Sequence, residues 1–129
     1  MARPDDVRLT IAFTSGSPTA GVTIRYVIRF NADDVAGNRR YRERIQLFGE
    51  DAPAGPAGDD LLFTFFPSRI VRPNGQTTVQ RTLTAQVPNA ILDEDPGADQ
   101  DEIYARVCLR SVDQTPPVQR CARSAAVSV

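Results

Sequence analysis

Val22-Thr-Ile-Arg-Tyr-Val-Ile-Arg-Phe30 alternates along its whole length: Val22, Ile24, Tyr26, Ile28 and Phe30 share one parity, and Thr23, Arg25 and Arg29 fall on the other. Side chains of a strand point to opposite faces with a period of two, so this run buries one face and wets the other. A helix would scatter the same apolar groups around its axis. The pattern therefore predicts a half-buried strand of an antiparallel sheet.

The same period recurs on both sides of it. Upstream, Val7, Leu9, Ile11 and Phe13 share a face, and Ser15-Gly-Ser-Pro-Thr-Ala-Gly21 is a turn cluster between the two runs. Downstream, residues 31–38 are expected to be a loop. Tyr41, Glu43, Ile45 and Leu47 then alternate with Arg40, Arg42, Arg44 and Gln46, which predicts a strand with an arginine-lined outer face. Residues 51–60, built from Ala, Pro, Gly and Asp, are expected to form a long loop. Residues 61–66, with apolar side chains on both parities, are expected to form a short strand.

Pro73-Asn-Gly75 is a strong reverse-turn signal. A long strand follows over residues 77–87, with Val79, Leu83, Ala85 and Val87 on one face, and a short helical turn is expected over 89–93. Ile103, Ala105, Val107 and Leu109 mark the next strand, and residues 118–129 the last, with Pro116-Pro117 at the tip between them. No helix longer than a turn is expected. Seven or eight short strands separated by Gly and Pro signals predict an all-β, two-sheet antiparallel sandwich.

The span from Phe63 to Leu109 carries a short strand, the Pro73-Asn-Gly75 turn, a long strand, Leu92 before a run of acidic residues, and Asp101-x-Ile103-x-Ala105-x-Val107. In this order of features it resembles immunoglobulin-type and fibronectin-type-III-type sandwiches. The resemblance implies the superfold and carries over no functional residue, since folds of this kind host many unrelated functions.

Composition removes whole classes of chemistry. The chain has 129 residues, a size expected of a single domain spanning 1–129, and a net charge of −1, which gives no global attraction to nucleic acid. It contains no histidine or tryptophan, and all fifteen of its basic residues are arginines. Ser-His-Asp and Cys-His constellations, Schiff-base lysines and histidine-ligated zinc are therefore impossible, and no enzymatic activity is expected. No apolar window spans a bilayer, and the charged stretch from Met1 to Asp6 lacks the apolar centre of a signal peptide, so a soluble protein is expected.

Four groups of residues remain as candidate sites. Cys108 and Cys121 would face each other across a hairpin centred between Gln114 and Thr115, which allows a disulfide. A bridge favours an extracytoplasmic location, and free thiols a cytoplasmic one. Arg40, Arg42, Arg44, Arg106 and Arg110, with Tyr104 as the aromatic among them, would line the outer face of one sheet, where guanidinium forks match oxyanions. Asp51, Asp59, Asp60, Asp93, Asp95 and Asp99 lie in loops expected at one end of the sandwich, an arrangement suited to calcium, a hard ion that takes oxygen ligands. Leu62 and Phe66 would point outward as an association edge.

Together these features predict a non-catalytic interaction or structural module that binds a protein partner or a second copy of itself. The alternative is a calcium-dependent module for carbohydrate or lipid.

Overall fold

A computed structural model describes residues 1–50, 59–92 and 102–129. Strand β1 (Arg3–Phe13) is followed by β2 (Thr19–Arg29), helix α1 (Ala32–Gly37) and β3 (Tyr41–Gly49). Then come β4 (Asp60–Thr64), β5 (Arg69–Val71), β6 (Thr78–Pro88) and helix α2 (Asn89–Leu92), and finally β7 (Glu102–Ser111), β8 (Gln119–Arg123) and β9 (Val127–Ser128). One sheet has three strands in the order β1-β2-β6. The other has six, in the order β4-β3-β7-β8, with β5 also paired to β3 and β9 to β7. Every pairing is antiparallel. The all-β two-sheet sandwich expected from the alternation is the fold.

Among the described residues nine strands stand where seven or eight were expected: β5 lies beyond the expected segment 61–66, and the last expected segment, 118–129, is interrupted. Along β3, β4 covers Gln46 to Gly49 and β5 covers Tyr41 to Glu43. The bend between them carries Pro67, which has no N–H to give a ladder. There the Ser68 hydroxyl donates to the Glu43 carbonyl at 2.7 Å in place of a backbone bond. The last segment breaks at buried Ser124, whose N–H donates to the Ala105 carbonyl while its Oγ accepts from the Ala105 N–H, both at 2.9 Å. The strand after β3 pairs with β3 instead of joining β6, so the sheets differ from the ABED and CFG sets of constant-type immunoglobulin domains.

Residues 31–38, expected to be a loop, hold α1. Asn31 caps it: its side chain accepts from the Asp34 N–H at 2.8 Å, and the Asp34 carboxylate accepts from the Asn31 N–H at 3.1 Å. This reciprocal capping box satisfies donors that an isolated turn would leave open. Asn38 ends the helix in the left-handed region at φ 45°, a conformation asparagine tolerates better than most residues.

The core lies between the sheets. Val22, Ile24, Tyr26 and Ile28 of β2 meet Tyr41, Ile45 and Leu47 of β3 and Ile103, Val107 and Leu109 of β7. The strands flanking β2 are less covered, since Val7, Leu9 and Ile11 of β1 and Val79, Leu83 and Ala85 of β6 are only half-buried. Phe13, on the inward parity of β1, lies at the strand end beyond the opposing sheet and is 51% exposed. The expected orientation of residues 61–66 is corrected at Leu62. Phe63 pairs with Leu47 and Leu61 with Phe48, so Leu62 is an extra residue in a bulge. A bulge shifts parity by one, and Leu62 packs on the core while Leu61 turns outward.

Candidate functional site

Three features offer chemistry or recognition: the open edge of β6, a buried ionic bridge beneath it, and the outer face of the six-stranded sheet. The edge follows from hydrogen-bond parity. The β2–β6 register runs unbroken from Thr19 opposite Pro88 to Arg29 opposite Thr78. Just beyond its two ends, the Phe30 N–H donates to the Thr77 carbonyl at 2.8 Å and the Asn89 N–H to the Pro18 carbonyl at 2.9 Å. Paired and unpaired positions alternate in an antiparallel ladder. Odd-numbered residues of β6 therefore bond to β2, and Thr78, Gln80, Thr82, Thr84 and Gln86 turn their N–H and C=O groups away from it. Among the described residues nothing bonds to those groups.

Strand edges are normally blunted by charges, prolines or bulges. The outward side chains of β6 are Thr and Gln without a charge, and its single proline, Pro88, stands at the last position. Beside the edge lies a recess of about 240 Å³ walled by Phe65, Phe66, Pro67, Arg81 and Leu83. Phe66 is 82% exposed there. Of the two residues expected to form an association edge, Phe66 is thus at the surface, while Leu62 is half-buried against the core.

Beneath the edge, Glu43 of β3 is 2% exposed between the sheets. Its carboxylate accepts from the Tyr26 hydroxyl of β2, and from Arg81 of β6 by a two-pronged contact, Nε to Oε2 and Nη2 to Oε1, both 2.8 Å. Each carboxylate oxygen is thereby satisfied, as a buried charge requires. Burial, and then the neighbouring Glu43, push the Tyr26 hydroxyl far above its ordinary range. A second buried carboxylate, Asp34, accepts from the Tyr41 hydroxyl and fixes α1 against β3.

On the outer face of the six-stranded sheet, Arg42 lies directly opposite Arg110, Arg44 opposite Cys108, and Gln46 opposite Arg106, which in turn faces Arg123. Arg40 stands apart from this group. It precedes β3 and is held by Asp113, with Nη2 2.7 Å from Oδ1 and its backbone N–H 2.9 Å from Oδ2. That pair draws the Asp113 carboxyl below the usual range. Tyr104 is not an open platform, since it is 4% exposed. Phe48 stacks on it at 5.6 Å, the Arg123 guanidinium lies 3.5 Å over its ring, and its hydroxyl donates to Asp59 at 2.7 Å.

Cys108 and Cys121 form a disulfide on this face. The Ser111 N–H donates to the Val118 carbonyl at 2.9 Å in the same register, which makes Cys108 and Cys121 a pair without mutual backbone bonds. That is the pair type with the closest backbones, and the Cα atoms are 4.1 Å apart. Closing a sequence separation of 13 residues contributes about 3 kcal/mol by loop-closure entropy. The bridge fits an oxidising, extracytoplasmic compartment.

Of the six aspartates considered for calcium, Asp51, Asp93, Asp95 and Asp99 lie outside the described residues. Asp59 accepts from Tyr104, and Asp60 opens β4 opposite Gly49. Among the described residues no group of three or more cysteine, aspartate or glutamate side chains gathers in a metal-holding arrangement. The chain matches no protein-family model and no curated protein.

All three tyrosines are shifted in one direction. Burial, with the acceptor carboxylates Asp34 and Asp59, raises Tyr41 and Tyr104 from 10.0 to about 12 each, and Tyr26 rises further. A raised folded-state value favours the protonated form, so this stability is complete below pH ~10 and is lost as pH climbs through the folded-state values. In a titration followed by tyrosinate absorbance and circular dichroism, ionisation should appear only above pH ~10 and coincide with unfolding. A tyrosine that ionises at its ordinary value while the protein stays folded would contradict these contacts.

Proposed function

We propose that the protein is a non-catalytic interaction module that takes up an extended segment of another polypeptide alongside β6. The observation that carries this is the uncharged, unbulged edge of β6, with its even-numbered N–H and C=O groups unbonded among the described residues, beside exposed Phe66. Donors and acceptors that repeat every second residue, ~6.8 Å apart, match another strand. Alternate side chains of such a strand would enter the recess between Phe66 and Leu83 and cover the half-buried face of β6. Each large apolar group so covered contributes on the order of 1.5–3 kcal/mol.

Thr82→Pro tests this directly. Its N–H points away from β2, so proline removes an edge donor without breaking the β2 ladder, as Pro88 already does at the strand end. Peptides of about ten residues selected for binding from a random library should alternate apolar and polar positions, and should bind Thr82→Pro and Phe66→Ser at least tenfold more weakly. Binding that ignores both substitutions would remove the proposal. Self-association lost in Thr82→Pro, read by sedimentation, would identify the segment as a second copy of this chain.

A further inference from the structure

We infer that the outer face of the six-stranded sheet is a binding site for an anionic polysaccharide. The inference is independent of the β6 edge, because it rests on the opposite sheet. Arg44 is its centre: it lies opposite Cys108 and so diagonal to both Arg106 and Arg110, with Arg42 two residues along its own strand. Directly opposed positions of this sheet are ~4.5–5.5 Å apart, diagonal ones ~7–8 Å and successive same-face ones ~6.8 Å. Four guanidinium groups thus share a patch of two strands.

Among the described residues, six of the eleven other arginines are paired with a carboxylate, whereas none of the four in this patch is. Arg8, Arg29, Arg39, Arg40, Arg81 and Arg123 each have a carboxylate within 4.0 Å, at Asp6, Asp5, Asp34, Asp113, Glu43 and Glu50 respectively. Among the described residues Arg42, Arg44, Arg106 and Arg110 have none. Like charges placed directly opposite, as Arg42 and Arg110 are, destabilise a sheet. A ligand carrying several oxyanions at comparable spacing removes that repulsion and accepts from each fork in a two-pronged manner.

Three observations select a glycan over other polyanions. Ile70, paired with Arg42, and Val112, two residues beyond Arg110, are exposed apolar side chains at the margin, and none stands between the four arginines, whereas the centre of a protein interface needs buried apolar or aromatic anchors. Tyr104, the aromatic among these arginines, is covered by Arg123 and stacked on Phe48, so it offers bases of a single-stranded nucleic acid no open ring on which to stack. The disulfide at the middle of the patch belongs to compartments where sugar acids and sulfate esters, rather than nucleotides, are the abundant polyanions.

The test measures binding of the whole protein to two probes, a heparin-derived oligosaccharide for sulfate and an oligogalacturonate for carboxylate, at low and physiological salt. Binding to either, weakened at least tenfold in Arg44→Gln/Arg110→Gln and unchanged in Arg25→Gln on the outer face of the other sheet, is expected. Which probe binds more tightly identifies the oxyanion. Circular dichroism and melting of the double variant establish that its fold is intact, and Arg42→Gln alone, on the same patch, should lose affinity by a smaller factor. Absence of binding to both probes overturns the inference, as does equal weakening by Arg25→Gln. Equal affinity for poly-aspartate or single-stranded DNA of matched charge overturns the assignment to a glycan.

Discussion

Arg81→Met is expected to destabilise the protein by about 3–5 kcal/mol, because it removes the cation from a carboxylate that stays buried. Glu43 is fixed on the interior face of β3 between Tyr41 and Ile45, all three fully enclosed, so its charge has no route to water. The Tyr26 hydroxyl supplies one remaining bond, to Oε2, and leaves Oε1 without its partner. Urea unfolding of Arg81→Met should show a lower midpoint with an unchanged slope. The informative control replaces the whole bridge: Tyr26→Phe, Glu43→Leu and Arg81→Met together should recover most of the loss, since an apolar set of similar volume avoids the desolvation cost. If Arg81→Met alone costs less than half a kcal/mol, the bridge is not closed in solution.

Part of that bridge was legible in the sequence. Glu43 shares the inward parity of Tyr41, Ile45 and Leu47, and Arg81 that of Val79 and Leu83, so two opposite charges stood at core positions of two strands. Their meeting was not legible. It depends on how the sheets stack across sequence separations of 17 and 38 residues, and alternation sets a residue's face without setting its neighbour across the core.

The same limit explains the other differences. The pairing of Cys108 with Cys121 followed from the hairpin centre because both ends lie on one local ladder. Leu62 escaped because a bulge leaves no mark in an apolar run. The helix α1 had a readable signature, Asn31 three residues before Asp34, although the acidic partner in this box is Asp in place of the usual Glu or Gln. Arg40 shares the parity of Arg42 and Arg44, yet Asp113, just past the end of the neighbouring strand β7, neutralises it. The open edge of β6 required knowing that β6 is last in its sheet, which is a property of topology.

Ile24→Ala is expected to cost about 2–5 kcal/mol, and its contrast with Leu83→Ala separates the closed core from the open edge. Both residues lie on the interior face of the three-stranded sheet and are direct partners across the β2–β6 ladder. Ile24 sits on the central strand, fully enclosed, and a methyl left in its place leaves a cavity that close-packed neighbours from the other sheet fill poorly. Leu83, one strand further out, packs on the core from one side and borders the recess beside Phe66 on the other. Truncating it removes contacts already partly replaced by water, so the loss should be at most about half that of Ile24→Ala in the protein by itself. With a peptide bound along β6 the ranking should narrow, because Leu83 then becomes an interior residue and Leu83→Ala also weakens the complex. Chemical denaturation of both variants with and without a selected peptide measures the two differences. Equal costs for both substitutions in the free protein would mean that the β6 edge is already covered, and that strand addition there has no room.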